Sequence, residues 1–585
     1  MRLSHAALES RSRMLGLFRL ACVAIVIVTL AGVGLSLLPP QTAWGTLAAA
    51  VAFVVLVVVH ARVDRERDRK DAAARFHERA LQRSMDVKPE AKAPPVEVDP
   101  AHPYAGDLDM LGPNSVCAFV SFARTEPGLR TMRDWLLAAH DPPALGVVRA
   151  RQDAARVLAK KPELTRALYV AGAAIGDKPD SAKKFEAWAL ANEPAVVPPA
   201  YGAIAWILPI VSFAALVAGN ALGWPTMATY GPYTACVVVS LALRARIGKV
   251  VAAVVANEGG ALAYAEAFES ALSADAEGEL LSSVRKDIEA GRDALRALRA
   301  PTRVLESLQN EVFRLLVAPL AMAELHAVLA LERWRKKHGA SSSRWFQAYG
   351  ALEALASLGL VAHDFPAFAW PELDEELRFD ARGLGHPLVP ASRRICNDVT
   401  GLGAGHALVV TGSNMSGKST LLRSIGVATA MAMAGGPVCA DKLALGPVRL
   451  VTSMRVSDSL SEGASRFYAE LRRLSLVVEM AAKAPGVLFL LDEVLYGTNA
   501  RERLIGSRAT LAWLLDHGAL GAVSTHDLAL ADLEGPLAGK ARNVHFEEQV
   551  AGDTMSFDYK LRDGVVKSSN ALRLMKQLGL PVGDS

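Results

Sequence analysis

The sequence predicts an α/β domain with a mostly parallel sheet at the C-terminal end of a longer, largely helical chain that carries membrane hairpins. Three observations predict it. Residues 20–61 contain no Asp, Glu, Lys or Arg. Residues from about 104 to 375 are rich in Ala, Leu, Glu and Arg, with apolar side chains at helical spacing. From about Leu377 the texture changes to short β-branched or leucine runs bounded by glycines, at 407–411, 487–491 and 521–525, with helical segments between them.

Length and composition bound the rest. At roughly 150 residues per domain, 585 residues allow three or four folding units. The 64 Lys and Arg against 60 Asp and Glu give a net charge of +4, and 51% of residues are hydrophobic, which excludes a disordered chain and a strongly basic nucleic-acid-binding tail. The mean hydropathy of +0.23 is high for a soluble protein of this size and points to local apolar blocks. Cys22, Cys117, Cys236, Cys396 and Cys439 are scattered singly, so neither a zinc site nor a secreted disulfide framework is expected.

The first apolar block splits at Pro39-Pro40 into runs of about 17–38 and 43–61, each long enough to cross a bilayer as a helix; residues 1–61 read as a transmembrane hairpin. A second charge-free stretch, 194–243, contains a second hairpin at about 203–243, with helices expected to be interrupted by Pro209 and Pro232. Arginines and lysines flank both hairpins while their tips are uncharged, and Trp44 and Trp224 stand as interfacial anchors. This predicts a multi-pass protein of the inner (cytoplasmic) membrane with its bulk in the cytoplasm. Residues 62–86 alternate in charge like a solvated helix leaving the membrane, and the prolines of 87–103 make a linker, so 62–103 forms one segment. Residues 104–375 form a helical domain split by the second hairpin, and 376–585 form the α/β domain.

The chemistry lies in that last segment. Gly412, Ser413, Asn414, Met415, Ser416, Gly417, Lys418 and Ser419 follow the run ALVVT and precede a helix starting near Thr420, which fits a P-loop in sequence and context. The glycines let backbone N–H groups wrap phosphates, Lys418 would reach the β/γ oxygens of ATP, and Ser419 would ligate Mg²⁺. Val487–Leu491 lead into Asp492 and Glu493, where Asp492 could hold Mg²⁺ through water and Glu493 could act as general base on the attacking water. A third strand ends at His526, which would stand beside the γ-phosphate as its sensor. Ser465 lies in a small-residue turn that opens a helix running through Leu474, and could meet a phosphate there.

Taken together, TGSNMSGKST, DSLSEGASRFYAEL, LLDEVLYGTN and STHD resemble the ATPase domain of the MutS mismatch-repair family, a branch of the ABC-type ATPases. His386-Pro387, Asn397-Asp398 and the tail FDYKLRDGVVKSSNALRLM look like the same family, whereas the segments 106–137, 151–158 and 351–358 resemble its core or lever domain. The resemblance implies an α/β P-loop ATPase domain preceded by an all-α lever. It also implies a homodimer in which each nucleotide meets one chain's P-loop and Ser465 of the other, with Asn499 at the same seam. Duplex or branched DNA is a partner by resemblance only. The Gly-Phe-Tyr/Phe-x-Glu mismatch-reading motif does not occur, and the segment before Tyr104 leaves no room for the reading domain.

Three readings follow. The first is a membrane-anchored MutS-like ATPase whose dimer closure tilts the lever and its inserted hairpin. The second is a tethered DNA-repair factor, for which 292–304 is the one modest basic stretch. The third, an ABC transporter subunit, is disfavoured because only 42 residues separate Ser419 from Ser461, too few for the helical subdomain that grips a transporter's membrane part.

Overall fold

A computed structural model describes residues 2–34, 39, 42–84, 99, 101–175, 181–191, 198, 201–273, 275, 277–307, 318–319, 321–413, 415–454, 466–495, 498–532, 537–551 and 554–566. Helices α1 (Arg2–Gly34) and α2 (Ala43–Ser84) form an antiparallel hairpin, pinned by the Thr46 hydroxyl donating to Thr29 Oγ1 at 2.7 Å and by Ser12 donating to Asp64 Oδ1 at 2.7 Å. After the linker, α3 (Val116–Val120), α4 (Glu126–Leu137), α5 (Leu145–Ala159), α6 (Pro162–Ala173) and α7 (Ser181–Leu190) begin the helical body. The second hairpin follows as α8 (Tyr201–Leu222) and α9 (Thr226–Ala271). The body is completed by α10 (Glu279–Ala297), α11 (Arg299–Ser307), α12 (Ala323–His338) and α13 (Ser342–Asp364).

Among the described residues, four helical stretches are long and apolar enough, by length and composition, to cross a membrane: Leu8–Thr29, within Trp44–Ser84, Tyr201–Leu222 and Thr226–Leu243. The sequence expectation is corrected at Pro209 and Pro232, which lie inside continuous helices rather than interrupting them. Such prolines are tolerated where neighbouring groups re-satisfy the freed carbonyls. The α8 face carrying Trp206, Ile207, Ile210, Phe213 and Val217 is exposed.

A second correction concerns residues 62–86. The charged half of α2 is not merely solvated: Ala72, Phe76 and Arg83 are buried against the helical body, with Phe76 edge-on to Phe122 and Tyr169. The charged pattern hid an apolar stripe at positions 72 and 76, four apart on one helix face.

The C-terminal part opens with β1 (Glu372–Leu373), β2 (Arg378–Leu384) and β3 (Asn397–Gly403), then β4 (Ala407–Thr411), α14 (Lys418–Ala434), β5 (Lys442–Leu445) and β6 (Arg449–Ser453). It continues through α15 (Arg466–Lys483), β7 (Val487–Asp492), α16 (Ala500–Asp516), β8 (Leu520–Thr525), β9 (Ala541–Ala551) and β10 (Thr554–Asp563). A six-stranded sheet has the order β10-β9-β4-β8-β7-β6, parallel except for β10. A smaller mixed sheet, β1-β5-β2-β3, lies beside it.

Strands β4, β7 and β8 are buried nearly throughout, as expected of parallel strands covered on both faces. Helix α14 lies on one face, and α15 and α16 supply Leu474, Val477, Leu511 and Leu514 to the other. The α14 core also takes in Tyr104, Leu108 and Met110 from the start of the helical body and Leu358 and Val361 from α13, so it crosses the sequence boundary near 375. Gly426 is required at that joint, since a Cβ there would sit 2.6 Å from Leu108 Cδ1.

Candidate functional site

Parallel pairing brings three strand ends side by side. Thr411 stands in register with Thr525, and Asp492 with Ser524, so the turns after β4, β7 and β8 open on one edge of the sheet. Such carboxyl ends are where open α/β sheets bind ligands.

The turn after β4 is the P-loop. Gly412 has φ 146° and Gly417 φ 108°, left-handed values that favour glycine. At Gly412 a Cβ would also meet Ser416 Oγ at 2.8 Å and the Phe546 carbonyl at 3.0 Å. Helix α14 starts at Lys418, two residues before the expected start, and Gly417 offers no side-chain cap, leaving its first-turn N–H groups directed at the loop. Lys418 is buried, and Nζ donates to the carbonyls of Gly412 and Ser413, both at 2.8 Å. Burial pulls its pKa down, while Glu493, Asp492 and Glu548 act in the opposite direction. The hydroxyls of Ser413 and Ser416 are buried without a hydrogen-bond partner among the described residues. Two orphaned hydroxyls, a lysine facing three carboxylates and open helix amides are a donor set that fits a phosphate chain with its cation. Ser419 and Thr420 are exposed on the first turn of α14, and Met415 projects outward at 87% exposure.

Asp492 is the last residue of β7 and accepts a hydrogen bond from the Ser524 hydroxyl. Glu493 follows in a left-handed turn at φ 51°, its N–H donating to the Ser524 carbonyl at 3.2 Å. A glutamate in that region carries backbone strain, which clusters at functional sites. His526 Nδ1 lies 3.5 Å from Glu493 Oε1, so the turns after β7 and β8 meet through these two side chains.

Asn499 is the N-cap of α16, its Oδ1 accepting from Glu502 N at 2.9 Å, a local structural role. Asn414 and Ser465 lie outside the described residues.

Two residues escaped the sequence reading. Glu548 on β9 is the third carboxylate acting on Lys418. Tyr559 sits where the β9–β10 register shifts, at φ 53°, with its ring against the P-loop: a Cβ on Gly417 would lie 3.2 Å from Tyr559 Cδ1. Asn397 holds this bulge from both sides, its Nδ2 donating to the Tyr559 carbonyl at 3.0 Å and its Oδ1 accepting from Leu561 N at 2.8 Å. An exposed aromatic face beside a P-loop could stack on a base. No single-sequence signal marks a bulge inside so polar a strand.

Residues 408–583 match the family described as MutS domain V. The chain carries a MutS-family ATPase domain. It is similar to the DNA mismatch repair protein MutS of Natronomonas pharaonis, 32% identical over 240 residues, which are 40% of this chain and 27% of that protein. It is also similar to the DNA mismatch repair protein MSH3 of Phaeosphaeria nodorum, 33% identical over 238 residues, 39% of this chain and 21% of that protein. The chain thus spans about a quarter of the length of the curated relatives it matches. The P-loop, Asp492, Glu493 and His526 all fall inside the matched MutS domain.

Proposed function

We propose that this chain is a membrane-anchored MutS-like ATPase that binds and hydrolyses Mg-ATP at the seam of a homodimer and converts the change into movement of its helical body and membrane helices. The supporting observation is the convergence of the P-loop, the Asp492-Glu493 pair and His526 on a MutS-type domain whose chain also carries, among the described residues, four helices apolar enough to span a membrane. In this reading Lys418 and the loop amides hold the phosphates, Ser419 and Asp492 hold Mg²⁺, Glu493 accepts the proton of the attacking water, and His526 senses the γ-phosphate.

Exposed Met415, Ile505 and Leu528 near the site support a seam with a second copy, to which Ser465 and Asn499 of the partner would contribute. The units are 1–61, 62–103, 104–375 and 376–585, located in the inner membrane with the ATPase in the cytoplasm.

A second reading, a tethered DNA-repair factor, is favoured by the names of the relatives. Against it, Arg292 pairs with Glu289 and Asp293, and Arg296 with Glu269, so two of the four arginines in the candidate basic stretch are engaged by carboxylates.

ATP turnover of the detergent-purified protein, with and without duplex or branched DNA, tests both. Lys418→Ala should abolish nucleotide binding, and Glu493→Gln should keep it while slowing turnover by at least ~10²-fold. Parent-rate hydrolysis by Glu493→Gln refutes the base assignment. Turnover stimulated by DNA at physiological salt would favour the second reading.

A further inference from the structure

The turn that carries His526 is held from outside the strands. Helix α16, which begins seven residues after Glu493, sends two arginines back to the turn after β8. Arg508 Nη2 donates to the carbonyls of Ala529 and Asp532, both at 2.7 Å. Arg503 Nη2 lies 3.7 Å from Asp527 Oδ2, and its Nε is buried with no hydrogen-bond partner among the described residues. Arg503 lines a cavity shared with Glu493, Ser524, Thr525, His526 and Asp527. Asp527 in turn ties the turn to itself, its N–H donating to Thr525 Oγ1 at 2.9 Å and its Oδ1 accepting from Ala529 N at 3.0 Å.

We infer that Arg503 is a positioning residue for ATP hydrolysis: by pairing with Asp527 it fixes the 525–529 turn and holds the His526 ring against Glu493. The inference rests on the ATPase reading above and adds to it a residue outside the P-loop and the acidic pair. Two arguments carry it. Among the described residues, Arg503 is the basic side chain that the structure pairs with Asp527, and it does so on the side facing the cavity. Without it, an uncompensated carboxylate would stand one residue from His526 and across the cavity from Glu493, beside the place a polyanion must enter. A misplaced general base or sensor costs rate rather than ground-state affinity, because the P-loop contacts are untouched.

The test is steady-state ATP hydrolysis by the full-length detergent-purified protein. Arg503→Met should lower kcat by about tenfold, with KM for ATP within about twofold of the parent. Arg503→Lys should recover at least half of the lost rate, which a purely packing role would not allow. Asp527→Asn should lower kcat similarly, and the Arg503→Met/Asp527→Asn double variant should be no slower than the slower single variant. Parent kcat in Arg503→Met, KM rising in step with the loss, no rescue by lysine, or multiplicative losses in the double variant would each overturn the assignment. A parent protein that neither binds nor hydrolyses ATP refutes the functional reading itself, a result separable from all of these.

Discussion

Glu353 is a carboxyl group with almost no water around it. It lies on α13 in the run ALEALASL, where a single glutamate among apolar residues reads as a helix's solvated position, yet it is 2% exposed. Its oxygens accept from Arg124 N at 3.1 Å and from the Thr125 hydroxyl, and its carboxyl group fills the space a side chain at Gly128 would need, while at Gly172 a Cβ would meet Arg124 Cβ at 2.8 Å. Burial pushes its pKa up to about 7, against the lowering effect of Thr125 and of the Arg124 and Thr125 backbone. Arg124, Tyr264 and Tyr349 are the other ionisable groups that face it.

The sign follows from linkage. An acid whose folded pKa is raised binds a proton more tightly when folded, so its contribution is complete below the unfolded value and is lost as pH rises through the folded one. Raising the pH from about 4.5 to about 7 should therefore remove on the order of 3 kcal/mol from the helical body. Glu353→Gln, which cannot ionise, should give a flatter curve of Tm against pH over that window. Parallel curves for the two proteins would show that Glu353 is not the titrating group.

At the scale of elements, α2 is the informative case. It leaves the first hairpin as a continuous helix and ends in a socket made by α3 and the end of α13. Arg79 donates to the carbonyls of Ala118 and Ser121, and Arg83 donates to the Phe119 carbonyl and pairs with Asp364, its guanidinium over the rings of Phe119, Phe122 and Phe365. Burial pulls the Arg83 pKa down and Asp364 holds it up.

Removing either partner of such a pair strands a buried charge and costs about 3–5 kcal/mol, whereas removing both with apolar replacements of similar size costs much less. Asp364→Asn should be the more damaging single change, because an arginine cannot shed its proton to escape. Urea unfolding of Arg83→Met, Asp364→Asn and Arg83→Met/Asp364→Leu checks this. Additive losses would mean that the pair is not coupled.

The strands that form the site, by contrast, were legible almost to the residue. Val487–Leu491 and 521–525 are apolar because both their faces are covered, and burial leaves a clear trace in composition. The β9–β10 hairpin was not legible, since polar residues interrupt the apolar ones in strands such as RNVHFEEQVA, which lie toward the edge of the sheet beside antiparallel β10. The α2 socket was hidden for a similar reason: docking by arginine aliphatic stems and cations looks like solvent exposure in a sequence.

For the whole molecule, one helix links the P-loop domain to the candidate membrane helices. Helix α13 leads straight into the sheets, receives α2 at Asp364 and packs through Phe346 and Tyr349 on Tyr264 and Phe268 of α9. Both candidate membrane hairpins thus reach one helix that touches the α14 core, an arrangement in which a change at the P-loop and a tilt of the hairpins share the same rigid part. This holds mechanical meaning only if both hairpins cross the bilayer with their tips on the far side.

Charge asymmetry predicts that they do, since Arg62, Arg65, Arg69 and Lys70 follow the first hairpin and Lys183, Lys184, Arg244 and Arg246 flank the second, while both tips are uncharged. Cysteines introduced at Gln41 and Asn220 should therefore react with a membrane-impermeant maleimide added to intact cells. Cysteines at Ser84 and Glu375 should react only after lysis, and the exposed native Cys396 should behave as they do. Labelling of the Asn220 site only after lysis would return α8 and α9 to the cytoplasm. The exposed face of α8 would then need a protein partner, and a single hairpin would be left to receive whatever movement the ATPase produces.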